Sequence, residues 1–223
     1  MSRLLLLLAP LLLAGCGTQR IALPYRPTGP VSAPGALPPM AVAEVRDARA
    51  LPAQPSEAPP PADDAAAARL GEIRTGWGYR QAEVAAEAPV ASVVSAAFAA
   101  GLAQRGALAP AGTTPAYELR VTVLQLDADR WHRLDATADL LVDVVARGDG
   151  RSVWFDHARS YNLDASHVTL DTGPVVIAPG GSLGRLAAAT LSEAVDEALD
   201  RPGLRIALAR DAAGPRPVLS AER

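Results

Sequence analysis

Two runs of strict alternation constrain this chain more than any other feature. Tyr117, Leu119, Val121 and Val123 fall on one face, with Glu118, Arg120 and Thr122 on the other. The pattern returns with Ala136, Ala138, Leu140, Val142 and Val144, opposite Thr137, Asp139 and Asp143. A period of two sends successive side chains to opposite faces of a strand, so each run is half buried and half solvated. Gly148-Asp149-Gly150 then reads as a hairpin turn leading to Val153, Phe155 and later Tyr161. The expectation is an antiparallel meander with one covered face.

The cover comes from two segments of a different period. Val90, Val93, Val94, Ala97, Gly101 and Leu102 recur at three and four residues, with Pro89 ahead of them and Gly106 behind. Proline in the first turn and glycine just past the end mark a helix over 89–105. A second helix opens at Ser182 and places Leu183, Leu186, Ala187, Leu191, Ala194, Val195 and Ala198 on one stripe, stopped by Pro202-Gly203. Short strands are expected over 40–49, 70–78 and 175–178. Helices that interrupt the strands without alternating regularly predict an α+β, two-layer sandwich. Its sheet is mixed and largely antiparallel, with about four to six strands and two amphipathic helices on one face. No internal repeat is visible.

Prolines divide the remainder. Those at 24, 27, 30, 34 and 38 forbid helix over 17–38 and favour extended chain, so residues 16–38 read as a tether. A 22-residue span of this kind reaches at most roughly 70 Å at about 3.1 Å per residue. Residues 39–210 form a single domain, interrupted by a mobile Pro- and Ala-rich insertion over 51–68, and 211–223 form a flexible tail.

The first residues carry an address. Arg3 precedes an apolar run over 4–13, too short to span a hydrocarbon core of about 30 Å but suited to a secretory signal over 1–15. Leu13-Ala14-Gly15-Cys16 resembles the lipobox of bacterial lipoproteins, in which the cysteine is acylated and becomes the mature N-terminus. Acyl chains on Cys16 would hold the domain to membrane lipid without any polypeptide crossing the bilayer. Gly17 stands where the resemblance would put Asp for inner-membrane retention, which favours the outer membrane over the inner.

Composition removes several chemistries. The chain has 21 Lys+Arg, all of them Arg, against 24 Asp+Glu, a net charge of −3. Without lysine there is no phosphate-cradling lysine and no Schiff base. Its one cysteine forms no intrachain disulfide and no multi-cysteine zinc site. Scattered arginines on an acidic chain argue against a nucleic-acid face.

Three constellations invite chemistry. Gly180-Gly181-Ser182-Leu183-Gly184 matches a nucleophile elbow, but the last histidine, His167, precedes the serine, so the required order fails. Asp127, Asp129, His132, Asp135 and Asp139 form an acidic turn that lacks the glycine of a calcium loop, and a solvated rim explains it. Asp156-His157 and the 164–167 stretch pair a histidine with Asp without a third group. Trp77, Tyr79, Trp131, Trp154, Phe155 and Tyr161 are read as core in preference to a binding groove. The expectation is no catalytic residue, no metal and no cofactor.

One order of segments carries a family likeness. A strand ends in Val45-Arg46-Asp47-Ala48-Arg49, then come Leu70-Gly71-Glu72-Ile73-Arg74 and a helix ending Leu102-Ala103-Gln104-Arg105-Gly106. A meander and a closing helix over 183–200 complete it. This resembles the YajG-like group of uncharacterised bacterial lipoproteins over 40–200, with the insertion after Arg49 as a departure. The resemblance implies a periplasm-facing α+β domain on an acyl anchor and brings no catalytic residues. The resulting expectation is a non-catalytic adaptor that binds another envelope protein. The alternative is a lipid- or small-ligand-binding auxiliary lipoprotein of a transport system.

Overall fold

The computed structural model describes residues 17–49, 64–164 and 181–214. In chain order the strands are β1 (Gly17–Ile21), β2 (Met40–Asp47), β3 (Arg69–Arg74), β4 (Arg80–Ala86), β5 (Tyr117–Arg130), β6 (Leu134–Ala146) and β7 (Ser152–Asp164). The helices are α1 (Asp64–Ala68), α2 (Val90–Gln104), α3 (Gly181–Asp200) and α4 (Pro202–Ala212). The strands make one mixed seven-stranded sheet ordered β1-β4-β3-β5-β6-β7, with β2 paired in parallel to β5. The fold is the expected α+β class.

The meander is longer than its alternation marks, and a β-bulge explains why. Pairing of β5 with β6 slips between Val123 and Gln125. Upstream of the slip Tyr117, Leu119, Val121 and Val123 are buried; downstream the buried residues are Leu126 and Ala128. One extra residue, the exposed Leu124, switches which parity faces the core. On β6 the phase holds from Leu134 to Val144.

Helix α3 lies across β5, β6 and β7, and α2 packs between β2 and α3. Burial of α2 follows Val90, Val94, Ala97, Phe98, Gly101 and Leu102. At Gly101 an added Cβ would stand 2.9 Å from Val195 Cγ1, so the missing side chain sets the close approach of the two helices. Phe98, Leu119, Leu140 and Leu191 are fully buried, each contributing roughly 1.5–3 kcal/mol.

Strands β2 and β3 follow one another along the same edge of β5, and Arg49 fills the break. Its Nη1 donates to Arg69 O at 2.6 Å and Leu126 O at 3.1 Å, while Nη2 meets Asp47 Oδ2 at 2.8 Å. Beyond it, Gly71 lets β3 press against β5. A Cβ there would fall 2.5 Å from both Ala128 O and Asp129 Oδ1.

Four expectations are corrected. The stretch over 17–38 is not a free tether: Gly17 to Ile21 pair in parallel with Ala82 to Ala86, and Ile21, Leu23 and Leu37 are buried. Proline forbids helix but not an edge strand or an extended segment, and the apolar residues between the prolines are what bury it. The sheet therefore has seven strands, the extra ones being β1 and the 80–86 strand. The helix α3 does end at Asp200, ahead of Pro202 as expected, and Pro202 then occupies the first turn of a further helix, α4, where its missing N–H costs nothing. The end of the chain is ordered further than expected, because Asp211 binds Tyr117 Oη at 3.0 Å and pairs with Arg151. Within the expected insertion, 64–68 form α1 and Ala68 is buried.

Candidate functional site

After β1 the chain continues along α3, and three side chains of that helix receive it. Ser192, Asp196 and Asp200 recur at four residues and so share one stripe. Ser192 Oγ accepts Arg26 N–H at 3.1 Å. Asp196 Oδ2 accepts both the backbone N–H and the hydroxyl of Thr28 at 2.9 Å. Asp200 Oδ1 accepts Ser32 N–H at 3.0 Å and also bonds the Ser32 hydroxyl. A segment whose prolines cannot join a ladder thus has the N–H groups of Arg26, Thr28 and Ser32 taken up by one hydroxyl and two carboxylates of α3.

Behind this seam lies Arg105, fully buried at the end of α2. Its Nε donates to Asp200 Oδ1 at 3.0 Å, Nη2 to Asp196 Oδ1 at 2.9 Å, and Nη1 to Gly101 O at 2.9 Å and Tyr25 Oη at 3.1 Å. Tyr25 Oη in turn donates to Asp196 Oδ1 at 2.6 Å. Burial, reinforced by the Asp196 bond, pushes the Tyr25 hydroxyl up to about 12. Burial opposes the charge on Arg105, but its bonds to Asp200, Asp196 and Tyr25 outweigh that and hold its pKa above the ordinary value. Burial likewise opposes ionisation of Asp200, yet Arg105 and Ser32 hold its carboxyl below the usual range. Every polar group of the cluster has a partner, so its chemistry is that of a clamp.

Beside the clamp, a groove of about 920 Å³ opens between residues 19–28 and the first half of α3. Ile21, Ala22, Pro24, Gly184, Ala188 and Ala189 supply apolar lining, and Arg20, Arg26 and Arg185 supply charge. A Cβ at Gly184 would lie 3.5 Å from Ile21 Cβ, ordinary van der Waals contact, so the helix packs close against the strand here. No carboxylate is among the lining residues. Apolar surface beside cations without anions suits an amphiphile with a negatively charged head.

The residues singled out in the sequence lie elsewhere. Cys16 and its lipobox residues Leu13, Ala14 and Gly15, with Gly180, His167 and the strand expected over 175–178, fall outside the described residues. Ser182 is the second residue of α3. The acidic turn is the β5–β6 hairpin, where Asp129 stands opposite Asp135 and Asp127 opposite Thr137. Each carboxylate there serves a local partner. Asp129 Oδ1 accepts Glu72 N–H at 2.7 Å, Asp135 pairs with Arg133 at 2.9 Å and accepts Tyr161 Oη at 2.8 Å, and Asp139 pairs with His157. Among the described residues no group of three or more His, Cys, Asp or Glu is placed to hold a metal. Asp156 meets Arg201 Nε at 2.7 Å.

The aromatic residues overturn their expectation. Trp77 is 82% exposed and Tyr79 75%, while Phe155, Tyr161 and Trp131 lie near half exposure or above; only Trp154 packs partly against the core. On β7 the parity decides this. Trp154, Asp156, Ala158, Ser160 and Asn162 stand opposite the buried residues of β6, and Phe155 and Tyr161 take the other face. Ser160 and Asn162 bind Glu193 of α3 at 2.6 Å, so polar groups fill inner positions that aromatics were expected to occupy. The sequence reading also passed over the clamp. Its visible signal was the four-residue spacing of Ser192, Asp196 and Asp200, which helix periodicity alone assigns to a solvated stripe.

No family model matches the chain, and no curated protein matches it by sequence. Among solved structures, the fold is similar to that of a Xanthomonas campestris protein of the DUF330 family, at 16% identity and a TM-score of 0.55, covering 87% of this chain and 99% of that one. A Caulobacter crescentus CB15 protein described as a candidate lipoprotein matches at 17% identity and a TM-score of 0.39, covering 64% of this chain and 92% of that one. The first likeness places the fold among those of uncharacterised bacterial proteins. Among the described residues no helix is long and apolar enough to cross a membrane.

Proposed function

We propose that the chain is an acyl-anchored lipoprotein of the bacterial envelope, of the YajG-like kind, that faces the periplasm and acts as a non-catalytic accessory factor binding another envelope protein. The anchor reading rests on Cys16, the chain's one cysteine, set directly behind the apolar run in Leu13-Ala14-Gly15-Cys16. Gly17 favours the outer membrane. The observation that carries the docking role is β7. Within the described residues this 13-residue strand pairs with β6 alone, and Phe155, Tyr161 and Leu163 are 61%, 49% and 49% exposed on its outer face. Glu197 and Arg201 cover the strand edge at Arg159 N–H and His157 O, so a partner segment would seat on the apolar outer face and on the uncovered ends of the edge. A photo-crosslinking residue at Phe155 or Leu163 of the full-length chain, activated in intact cells, should yield a discrete protein adduct. Repeated activation without one rejects the adaptor role. An N-terminal peptide with no acyl group on Cys16 rejects the anchor.

The groove beside the clamp favours a second reading, a ligand-binding auxiliary lipoprotein of a transport system whose ligand is an anionic amphiphile. Native mass spectrometry of gently extracted full-length chain should find the ligand bound, and R26E and R185E together should weaken binding roughly tenfold through the lost charge contacts. A groove that comes out empty at every lipid concentration rejects it.

A further inference from the structure

The end of the fold at which β1 begins is also the end at which exposed aromatic rings gather. Strand β1 starts at Gly17, whose Cα lies one trans peptide step, about 3.8 Å, from that of Cys16. Gly17 pairs with Ala82, three residues from Tyr79, so the start of β1 lies on the order of 10 Å along the sheet from the β3–β4 turn. That turn is closed by Gly78, at φ 83°, with Gly78 N–H donating to Thr75 O at 2.8 Å and Thr75 N–H to Tyr79 O at 2.9 Å. It holds out Trp77 and Tyr79, the two most exposed large apolar side chains among the described residues. The parallel pairing of Ile73 with Arg130 sets the β5–β6 turn level with the β3–β4 turn. There Trp131 stacks on His132 with ring centroids 4.8 Å apart, and the Trp131 ring passes 3.7 Å from where a Gly78 Cβ would be. Arg74 and Arg80, about half exposed, stand at the base of the first turn, where they share Glu72 at 3.0 and 3.9 Å, and Arg133 lies in the second, paired with Asp135 at 2.9 Å.

We propose that this aromatic end, formed by Trp77, Tyr79 and Trp131, is the membrane-facing surface of the domain and inserts into the headgroup layer of the bilayer that holds the Cys16 acyl chains. The inference rests on the anchor proposed above and adds how the domain sits. With β1 built into the sheet from Gly17, no stalk stands between anchor and fold, so the acyl chains would bring this end to the lipid. Trp and Tyr rings are amphipathic and favour the membrane–water interface, and arginines beside them suit lipid phosphates. Gathered at one end, with the Trp131 ring over Gly78 between Trp77 and Tyr79, the three rings form the kind of contiguous apolar patch that marks a membrane or protein contact. The β6–β7 turn, and Phe155 on the part of β7 nearest it, then face the periplasm, while Tyr161 and Leu163, opposite Thr137 and Asp135, lie toward the membrane end.

Full-length chain, purified from membranes of a diderm host, tests this in vesicles of phosphatidylethanolamine and phosphatidylglycerol with or without brominated acyl chains. W154F leaves Trp77 and Trp131 as the reporters, and its emission should fall by roughly half in brominated vesicles, as expected for interfacial rings. W77F combined with W131F leaves only Trp154, opposite Val144 and away from this end, and should be quenched much less. Acylated chain in which the Trp77 and Trp131 signal is quenched no more than the Trp154 signal overturns the inference while the anchor stands. Unquenched emission that shifts to the blue with protein concentration means a second copy covers the rings, which also overturns it. A mass spectrum showing Cys16 unacylated brings down the anchor itself, and this orientation with it.

Discussion

Arg105 and Asp200 lie 95 residues apart in the chain and meet in two hydrogen bonds, Nε to Oδ1 at 3.0 Å and Nη2 to Oδ2. The planar guanidinium matches the carboxylate fork, and Nη2 reaches Asp196 as well. Because Asp196 and Asp200 also hold Thr28 and Ser32, one buried cation ties together the end of α2, the end of α3 and the segment that follows β1.

Replacing Arg105 with Met should therefore do more than remove a pair. Asp196 and Asp200 would keep their charges beside an apolar side chain, and Tyr25 would lose a donor. Breaking a buried pair by deleting one partner costs about 3–5 kcal/mol; both carboxylates keep some solvent contact, so a loss of about 3 kcal/mol is expected. Denaturant unfolding measures it. R105K should restore less than half of that loss, since one ammonium cannot serve two carboxylates, a carbonyl and a hydroxyl in the same plane. Hydrogen exchange over 22–32 should rise more than in β6.

The same clamp sets pH limits of opposite sign. The Asp200 carboxyl lies lower in the folded chain than in the unfolded one, so its contribution is complete above the ordinary value near 3.9 and fades as pH falls through the folded value. The Tyr25 hydroxyl is raised to about 12, so its contribution is complete below about 10 and fades as pH climbs toward 12. Denaturant midpoints taken across pH should show both losses. D200N should flatten the acid limb and Y25F the alkaline one; unchanged limbs in these variants would separate the clamp from the pH response.

Arg49 offers a test of the sheet rather than the clamp. Its side chain is 5% exposed and bridges Arg69 O and Leu126 O where β2 gives way to β3. R49L would leave two sheltered carbonyls without donors and Asp47 without its cation. Each unsatisfied acceptor costs roughly 1–3 kcal/mol, so a total loss of about 3 kcal/mol is expected by chemical denaturation. Exchange protection should fall first in β3 and not in β7. Equal loss across the sheet would mean that the break needs no plug.

How far these features were legible depends on whether they are local. The alternation of Tyr117 to Val123 and the three-and-four spacing of α2 are imposed by burial on a single element, so the meander and the helix could be read directly. The bulge at Leu124 could not, because a change of parity inside one strand shows only against its partner. The order hidden in 17–38 depends on β4 and on Asp196 and Asp200, over 160 positions away for Tyr25, and proline spacing carried the opposite message. Aromatic burial failed for a related reason. Composition ranks how often Trp and Tyr are buried, whereas turn position decides it for Trp77, Tyr79 and Trp131.

Asp129 carries a stored penalty that substitution should release. It sits opposite Asp135 on the β5–β6 hairpin and accepts Glu72 N–H at 2.7 Å. Burial raises its carboxyl above the ordinary value; the Glu72 bond pulls the other way, and the charges of Asp127 and Glu72 push it up again. A carboxyl raised on folding binds its proton more tightly in the folded chain, so stability falls as pH rises from the unfolded value near 3.9 through the folded one. Above that window the penalty is constant. In D129N the amide oxygen can still accept from Glu72 N–H without a charge to bury. The variant should be more stable than the parent at neutral pH, and the difference should shrink and vanish as pH drops below about 3.9. Paired denaturation curves from neutral to acid pH measure it. A D129N chain less stable than its parent at every pH would mean that the second carboxylate oxygen, not the first, is the one the hairpin depends on.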